Sequence, residues 1–400
     1  MKLLMHSSKI FAVIICFVIL GLQLCSAQLQ PILMNTLFTP FSNSEMAAYE
    51  DRLVVASDEH VTIYQVSNNG QVTTIDQLPL SSVLYLTTCR HHLIIVKTIN
   101  GIDCQIYTYN LNTFELEDSL EYQELVPEFA TCNESYCFIS DLFSGLYVFE
   151  IDSDGSIIVE DQYPEIYFYS DGKASCNSDY LLSTHNGMSL SFTIVDVADI
   201  HDIHVLPTCD LLDETYQAGL TSDYLVLAGR NPGQNIAKLS QYENNECLDL
   251  STISVWSNTI GAIHSNNNLV VIQGSPPPSY QGRLQVCKIT NQLMLHHECN
   301  ISVPIIDNYM ICNKFLYVRD VSNNDLYIYG LFGPPDLHLN RLPDYSIRLS
   351  WNQVPGANYY RVYTTTTFDG VDQLIAETNE LELIMPFSTN SALYRVTAVR

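Results

Sequence analysis

The chain has 400 residues, of which 17 are lysine or arginine and 44 are aspartate or glutamate, so its formal net charge is −27. Hydrophobic residues make up 47% of the chain, which is enough to build a sizeable core. A surface this acidic repels phosphate backbones and anionic lipid, which argues against binding to nucleic acid or to a membrane surface. The same charge favours solubility, and it fits cationic partners or loosely bound divalent ions, among which charge alone does not choose.

The first 27 residues have the pattern of a secretory signal peptide. Lys2 and Lys9 precede an uncharged apolar run at residues 10–24, and small residues follow as far as Ala27. We therefore expect cleavage after Ala27 and a secreted or cell-envelope protein, which in a bacterium means the periplasm or the outer surface. The alternative is an anchor helix that stays in the protein, but a helix that spans a membrane needs about 20 apolar residues.

A short apolar strand pattern recurs seven times along the chain. Residues 223–228 show it most clearly, and the steps between equivalent positions are 40, 44, 44, 44, 44 and 47 residues. A nearly fixed period of this length indicates a repeat architecture. The equivalent positions are Leu53, Leu93, Cys137, Leu181, Leu225, Leu269 and Leu316.

Each repeat contains more than this one strand. Further along each repeat comes a stretch with apolar residues at alternate positions, such as residues 61–66 and 146–151. Alternation rich in Tyr, Val and Ile predicts a half-buried strand. Each repeat also has one short strand segment before the recurring apolar strand and one after the alternating strand, which makes four strands per repeat. The sequence therefore predicts an all-β fold, with a seven-bladed β-propeller over residues 28–332.

The last repeat has no outer strand of its own. It ends at Leu331 and continues into Gly333, Pro334 and Pro335, whereas residues 30–37 form an additional strand pattern before the first repeat. We predict that this N-terminal strand completes the last blade, because closing the ring in this way removes open sheet edges.

Two blade stretches, residues 144–151 and 191–199, carry a resemblance to a known repeat. They resemble the LVIVD-type repeats of secreted bacterial β-propellers. The resemblance implies a location in the cell envelope or outside the cell, and it implies no particular activity. The Gly-His and Trp-Asp pairs of WD40 repeats are absent from the sequence.

Residues 334–400 have a different pattern, which resembles a fibronectin type III domain. Trp351 corresponds to the core tryptophan of that family's second strand, Tyr360 lies on the third strand and Tyr394 on the sixth. The resemblance implies a small β-sandwich, in which one large aromatic side chain fills the space between two sheets. The seventh strand of the family has no counterpart before Arg400.

Ten cysteines follow residue 27, and an oxidising compartment would allow disulfides among them. Cys132 and Cys137 flank a short turn and form the first candidate pair, and Cys287 with Cys299 forms the second. Four cysteines share one position of the repeat and are expected to be small buried residues, because equivalent positions of different blades do not pair. They are Cys89, Cys132, Cys176 and Cys312.

The sequence contains no recognisable catalytic or metal-binding motif. Neighbouring histidines such as His201 and His204 are separated by an odd number of residues, so on a strand they point to opposite faces. Residues 152–155, with the sequence Asp-Ser-Asp-Gly, fit a hairpin turn better than a calcium loop. We therefore expect no metal site and no cofactor, and we name no catalytic residue.

The predicted function rests on the loops that join the second strand of each blade to the third, because binding residues concentrate on loops held by a rigid scaffold. We expect a non-catalytic binding or adhesion scaffold for a protein or glycan, acting as a monomer. Candidate binding residues, chosen by position alone, are Asp58, Lys97, Asp141, Arg230, Tyr280 and Arg319.

Two alternatives stay open from the sequence. One is an extracellular enzyme that acts on glycans or peptides at the mouth of the propeller channel, where residues from different blades would leave no local motif. The other is a component of an envelope complex that holds a partner through the open edge of the C-terminal module.

Overall fold

The computed structural model describes residues 30–399, apart from some short segments. These segments are 39–44, 68–69, 169–173, 186–190, 208–211, 213, 232–233, 244–245, 257–260, 267, 275–282, 304, 321, 333–334, 336, 344–345, 355–356, 366–372 and 387–392. In the described part the chain folds into 35 β-strands and no helix. It divides into two compact units, one of Pro31–Gly330 and one that includes Leu331–Arg400.

The first unit consists of seven antiparallel sheets, which we number as blades 1–7, and β1 (Gln30–Phe38) precedes them all. Blade 1 is formed by β2 (Met46–Tyr49), β3 (Arg52–Ala56), β4 (Val61–Val66) and β5 (Val72–Leu78). Blade 2 is formed by β6 (Val83–Cys89), β7 (His92–Thr98), β8 (Cys104–Asn110) and β9 (Leu116–Tyr122). Blade 3 is formed by β10 (Pro127–Cys132), β11 (Tyr136–Asp141), β12 (Gly145–Ile151) and β13 (Ile157–Tyr163).

The remaining blades follow the same order of inner, second, third and outer strand. Blade 4 is formed by β14 (Ala174–Cys176), β15 (Tyr180–His185), β16 (Ser191–Asp196) and β17 (His204–Val205). Blade 5 is formed by β18 (Glu214–Leu220), β19 (Leu225–Asn231), β20 (Gln234–Glu243) and β21 (Glu246–Ser254), and β22 (Gly261–Ala262) adds a short parallel pairing to β18. Blade 6 is formed by β23 (His264–Asn266), β24 (Leu269–Gly274), β25 (Arg283–Ile289) and β26 (Leu295–Ser302), and blade 7 contains β27 (Ile306–Cys312), β28 (Phe315–Asp320) and β29 (Asp325–Phe332).

The predicted closure of the ring is confirmed. Blade 7 has the strand order β1-β29-β28-β27, so the N-terminal strand supplies its outer strand. The Asn35 side-chain amide also donates a hydrogen bond to the carbonyl oxygen of Gly70 in blade 1, at 3.4 Å. The strand β1 therefore links the last blade to the first.

The recurring apolar pattern of the sequence corresponds to the second strand of each blade. This strand is buried on both faces, because each blade packs between two neighbours; β28, for example, is buried at all six residues. Consecutive residues Ile94 and Ile95 of β7 belong to two different cores, one shared with blade 3 and one shared with blade 1. Outer strands are less buried, and β9, for example, has no fully buried residue. The uninterrupted apolar runs are therefore the result of two-sided burial.

The second unit is a small β-sandwich of two three-stranded sheets. One sheet has the order β30 (Leu337–Arg341), β31 (Ser346–Trp351) and β34 (Glu382–Pro386), and the other has the order β33 (Gln373–Thr378), β32 (Tyr359–Thr365) and β35 (Leu393–Val399). Trp351 and Tyr360 are both buried, with their ring centroids 5.7 Å apart. The Tyr360 hydroxyl accepts a hydrogen bond from the backbone N–H of Val354. This aromatic pair is the centre of the sandwich core.

Within the described residues, the structure contains no helix long and apolar enough to cross a membrane.

Candidate functional site

One end of the propeller carries both the loops between second and third strands and the loops between blades, because neighbouring strands run in opposite directions. We call this end the loop face. In blade 2 the loop at residues 99–103 is fixed by its own hydrogen bonds. The Asn100 side-chain oxygen accepts from the backbone N–H groups of Ile102 and Asp103, at 3.1 and 2.9 Å. This loop presents Ile99 and Ile102 to solvent, with 46% and 58% of their surface exposed.

The corresponding loop of blade 3 is fixed by a buried carboxylate. Asp141 accepts hydrogen bonds from the backbone N–H groups of Phe143 and Ser144, at 2.8 and 2.5 Å. Gly145 follows at φ +90°, and a Cβ there would lie 2.2 Å from the carbonyl oxygen of Tyr163, so the loop requires glycine at this position. The loop exposes Leu142 at 40% and Phe143 at 70%.

Hydrogen bonds join these two loops through the segment between blades 2 and 3. Asp103 accepts from the backbone N–H of Glu124 at 2.9 Å, and Asp141 accepts from the backbone N–H of Val126 at 2.5 Å. Leu142 in turn donates its N–H to the carbonyl oxygen of Val126 at 3.1 Å. The exposed apolar side chains of blades 2 and 3 therefore stand on one connected set of loops.

The segment that follows β13 extends this surface towards blade 4. Phe168 is buried against Phe129, with ring centroids 4.9 Å apart, whereas the neighbouring Tyr167 is 52% exposed. The Gln162 side chain joins the end of β13 to the loop between β11 and β12 by donating a hydrogen bond to the carbonyl oxygen of Ser144, at 3.0 Å. We define the apolar patch as Ile99, Ile102, Leu142, Phe143 and Tyr167.

Acidic side chains flank the apolar patch. Asp103 adjoins Ile102, Glu165 lies two residues before Tyr167, and Glu124 lies on the connecting segment. Hydrogen bonds from the backbone of Glu124 and from the Asn100 side chain lower the pKa of Asp103, which keeps this carboxylate charged. An apolar surface with acidic neighbours fits a partner that presents apolar and basic side chains together.

The position-based candidates fall in different blades and in different environments. Asp58 and Arg230 are exposed, in blades 1 and 5 respectively. The Lys97 ammonium lies over the Tyr107 ring of its own blade, 5.9 Å from the centroid. Tyr280 lies outside the described residues. Asp58, Lys97 and Arg230 thus lie in three different blades, numbers 1, 2 and 5.

The other two candidates, Asp141 and Arg319, were predicted to lie on exposed loops, and this prediction is wrong. Both are fully buried, because each stands near the end of a second strand between two blades. Asp141 holds backbone N–H groups, as described above. Asp320, at the matching position in blade 7, accepts from the backbone N–H and the hydroxyl of Ser322 in the same manner. Asp141 and Asp320 are therefore buried acceptors that position the loops after them.

The central channel is a cavity of about 350 Å³ lined by the inner strands. Its described lining is mainly small and apolar side chains and includes one carboxylate, Glu45, and one imidazole, His264. The His264 ring packs edge-on against Tyr309, with centroids 4.9 Å apart. The paired carboxylates of a glycoside hydrolase are not present in this described lining.

The predicted disulfides are not formed in the structure. Cys132 and Cys137 are directly opposite each other on β10 and β11, yet both thiols are free. The Cys132 thiol makes a side-chain hydrogen bond with Cys137 in place of a covalent bond. Cys287 and Cys299 are also free, because a bulge places His297 opposite Cys287.

Cys247 is disulfide-bonded, which its spacing in the sequence does not predict. The described cysteines with free thiols are those at positions 89, 104, 132, 137, 176, 287, 299 and 312. No group of three or more His, Cys, Asp or Glu side chains in the described structure is placed to hold a metal ion.

The buried thiols predict a loss of stability at alkaline pH. Burial raises the pKa of Cys89, Cys104 and Cys287 to about 12 in each case, whereas a thiol in the unfolded chain titrates near about 8.5. Between these values the unfolded chain binds fewer protons than the native one, so the free energy of unfolding falls as pH rises. Each thiol contributes a slope of up to about 1.4 kcal/mol per pH unit.

Guanidinium unfolding at about pH 8 and about pH 10, with a reducing agent present, measures this effect. Cys287→Ala is expected to be less stable at both pH values, because it leaves a small cavity, but to show a smaller difference between them. Equal stability of the parent chain at the two pH values would contradict the expectation.

None of the candidate residues predicted from the sequence belongs to the apolar patch. A signal for it exists in the sequence, since the loop at residues 98–103 reads Thr-Ile-Asn-Gly-Ile-Asp and the loop at 141–144 reads Asp-Leu-Phe-Ser. Apolar residues inside such turn-forming stretches lie outside the strands that build the core, so their side chains are left at the surface. The candidates predicted by position were charged or aromatic, and these apolar loop residues were not among them.

No family model matches the sequence, and no curated protein matches it. Solved β-propellers are similar in fold. A chain of the Mitotic Checkpoint Complex crystal structure gives a TM-score of 0.53 at 10% identity, covering 77% of this chain and 94% of its own. The RRP9 WD40 repeats give 0.54 at 10% identity, covering 76% and 100%. The β-propeller domain of Cps50 (Swd1) from Myceliophteria thermophila gives 0.51 at 11% identity, covering 76% and 100%.

Identity at this level shows the fold and nothing more specific. The predicted β-propeller is confirmed, and the similar structures include WD40 propellers even though the WD40 sequence pairs are absent here.

Proposed function

We propose that this protein is a secreted or cell-envelope binding scaffold without catalytic activity, which holds another protein through the loop face of its propeller. The observation that carries the proposal is the apolar patch on the hydrogen-bonded loops of blades 2 and 3. Phe143 alone leaves 70% of its surface in solvent. Clustered exposed apolar side chains mark interaction surfaces.

The fixed loops support a binding role. Asn100 and Asp141 hold the two loops in their conformations by hydrogen bonds to the backbone. A surface that is ordered before binding loses less conformational entropy when a partner docks, so more of the contact energy appears as affinity. Phe143 and Ile102 are the central anchors in this proposal, because they are the most exposed members of the patch.

The charge of the protein indicates the kind of partner. Asp103, Glu124 and Glu165 flank the patch, and the whole chain carries a formal charge of −27. We propose a protein partner with apolar side chains flanked by lysine or arginine. Complementary charge speeds association and makes it sensitive to salt.

The proposed location rests on the sequence. Residues 1–27 have the pattern of a signal peptide, and residues 144–151 and 191–199 resemble LVIVD-type repeats. The disulfide of Cys247 supports an oxidising compartment. The second unit is proposed to be a fibronectin type III-like module, supported by its two sheets and by the packing of Trp351 on Tyr360.

Substitution of the two anchors tests the scaffold. The double variant Ile102→Ser, Phe143→Ser is expected to lose the proteins that the immobilised parent chain retains from the organism's extracellular or envelope fraction. Affinity for a purified partner should fall by at least about tenfold, because buried anchor residues carry most of the energy of an interface.

Val159→Ser is the matched control, since Val159 is 46% exposed on the outer strand of blade 3 and lies outside the patch. It should retain the same partners as the parent chain, and retention should weaken as salt is raised. If the double variant and the control retain the same proteins equally well, the patch is not the binding surface.

A further inference from the structure

A second cavity opens between blades 4 and 5, at the end of the propeller opposite the loop face. This end carries the turns that join inner to second strands and third to outer strands. The cavity has a volume of about 270 Å³. Its lining includes three tyrosines, two carboxylates and two amides, and we call it the tyrosine pocket: Tyr180, Tyr224, Tyr242, Asp179, Asp223, Asn177 and Gln241.

The walls of the tyrosine pocket are held together across the two blades. The Asn177 side-chain amide donates to the carbonyl oxygen of Thr221 at 2.9 Å, which joins the turn before Tyr180 to the turn before Tyr224. The Tyr180 and Tyr242 rings meet at 65° with their centroids 5.8 Å apart. The pocket is therefore formed before any ligand binds.

One polar atom inside the pocket wall has no partner. The Tyr242 hydroxyl is buried and makes no hydrogen bond to any described residue. A buried hydroxyl without a hydrogen bond costs stability, so the hydroxyl does not explain why a tyrosine stands here, and the ring is the part of Tyr242 that the pocket uses.

The charged side chains in the described lining of the pocket are all acidic. Burial raises the pKa of Tyr180, and the nearby charges of Asp196, Asp179 and Glu243 raise it further. The pKa of Tyr242 is likewise raised by burial first and then by Tyr180 and Asp196. In the described part of the lining the ionised side chains are Asp179 and Asp223, with no lysine or arginine to offset them.

We propose that the tyrosine pocket binds an alkylammonium group, on a small organic cation or on a lysine side chain. Tyrosine rings attract such a group through their negative faces, and carboxylates at the rim neutralise its charge. The volume suits a group of a few heavy atoms.

A metal ion fits the pocket poorly. Calcium needs six to eight oxygen ligands and magnesium needs near-octahedral geometry, whereas this lining offers two carboxylates among aromatic rings. The proposal also does not depend on the loop face, because the tyrosine pocket lies in other blades and at the other end of the propeller.

Titration of the full chain with choline chloride, followed by calorimetry or ligand-observed NMR, tests the proposal. The matched control ligand is 3,3-dimethyl-1-butanol, which has the shape of choline without its charge. Choline is expected to bind at least about tenfold more tightly than this alcohol, since the attraction depends on the charge. No binding of choline, or equal binding of the two, would overturn the proposal.

Two further probes distinguish the sources of the cation. N-acetyl-lysine methylamide and its Nε-trimethylated form represent a lysine side chain of a protein. Binding of either one at least as tightly as choline assigns the pocket to a protein side chain, whereas tighter binding of choline assigns it to a free cation. Both results support an alkylammonium site.

Substitutions locate the binding. Tyr242→Leu removes a ring and should weaken choline binding by about tenfold, whereas Tyr242→Phe keeps the ring and should bind like the parent chain. Asp179→Asn should weaken binding by about threefold, because an exposed charge acts through solvent. Asp202→Asn, on the same end of blade 4 but outside the lining, is the control. Choline binding that survives both Tyr242→Leu and Asp179→Asn would place the cation elsewhere and refute this site.

Discussion

A chain that begins at Glu45, and so lacks β1, is expected to be much less stable than one that begins at Gln28. Without β1 the strand β29 becomes an open edge, and the contact of Asn35 with Gly70 of blade 1 is lost. Each backbone hydrogen bond contributes a net 0.5–1.5 kcal/mol or so, which suggests a loss on the order of 4 kcal/mol for a strand of nine residues.

Thermal unfolding of the two chains measures this loss. For a domain of this size, a loss on the order of 4 kcal/mol lowers the melting temperature by about 10 °C. A peptide of residues 28–38 added to the shortened chain should restore stability in proportion to the logarithm of its concentration, because it binds only the folded form. Equal melting temperatures of the two chains would show that β1 does not close the ring.

Asp141→Ala is expected to have the largest effect of any single loop substitution. The Asp141 carboxylate accepts three backbone hydrogen bonds, from Val126, Phe143 and Ser144, and its side chain is fully buried. Removing it leaves these N–H groups without their acceptor, at a cost of about 3 kcal/mol or more. The apolar patch should also lose its fixed geometry.

Denaturation with guanidinium chloride measures the change in the free energy of unfolding. Asp161→Ala is the control, because Asp161 is an exposed carboxylate on the outer strand of the same blade. It should change stability by less than about 0.5 kcal/mol. A loss of under about 1 kcal/mol for Asp141→Ala would mean that water replaces the carboxylate and that the loop does not depend on it.

The period of the apolar strands predicts the fold correctly because repeating packing imposes a repeating pattern. Each second strand needs apolar residues on both faces, so Ile94 and Ile95 must both be apolar although they face different cores. The surplus strand at residues 30–37 likewise predicts the closure of blade 7, because a sheet edge without a partner is costly.

The sites could not be predicted in the same way, because their residues come from different repeats. Asp141 and Asp58 have similar positions within their repeats, yet Asp141 is buried beneath a loop and Asp58 is exposed. Tyr180 and Tyr242 are 62 residues apart, and only the packing of blade 5 against blade 4 brings their rings into contact.

The sequence by itself determined the all-β class, the seven repeats and the closing strand, since local periodicity reflects which strand faces are buried. The tertiary structure decided which loop residues are buried, which apolar side chains stay in solvent and which side chains line a cavity between blades. Those properties depend on contacts between residues that are far apart in the chain. The spacing of residues along the chain does not predict such contacts.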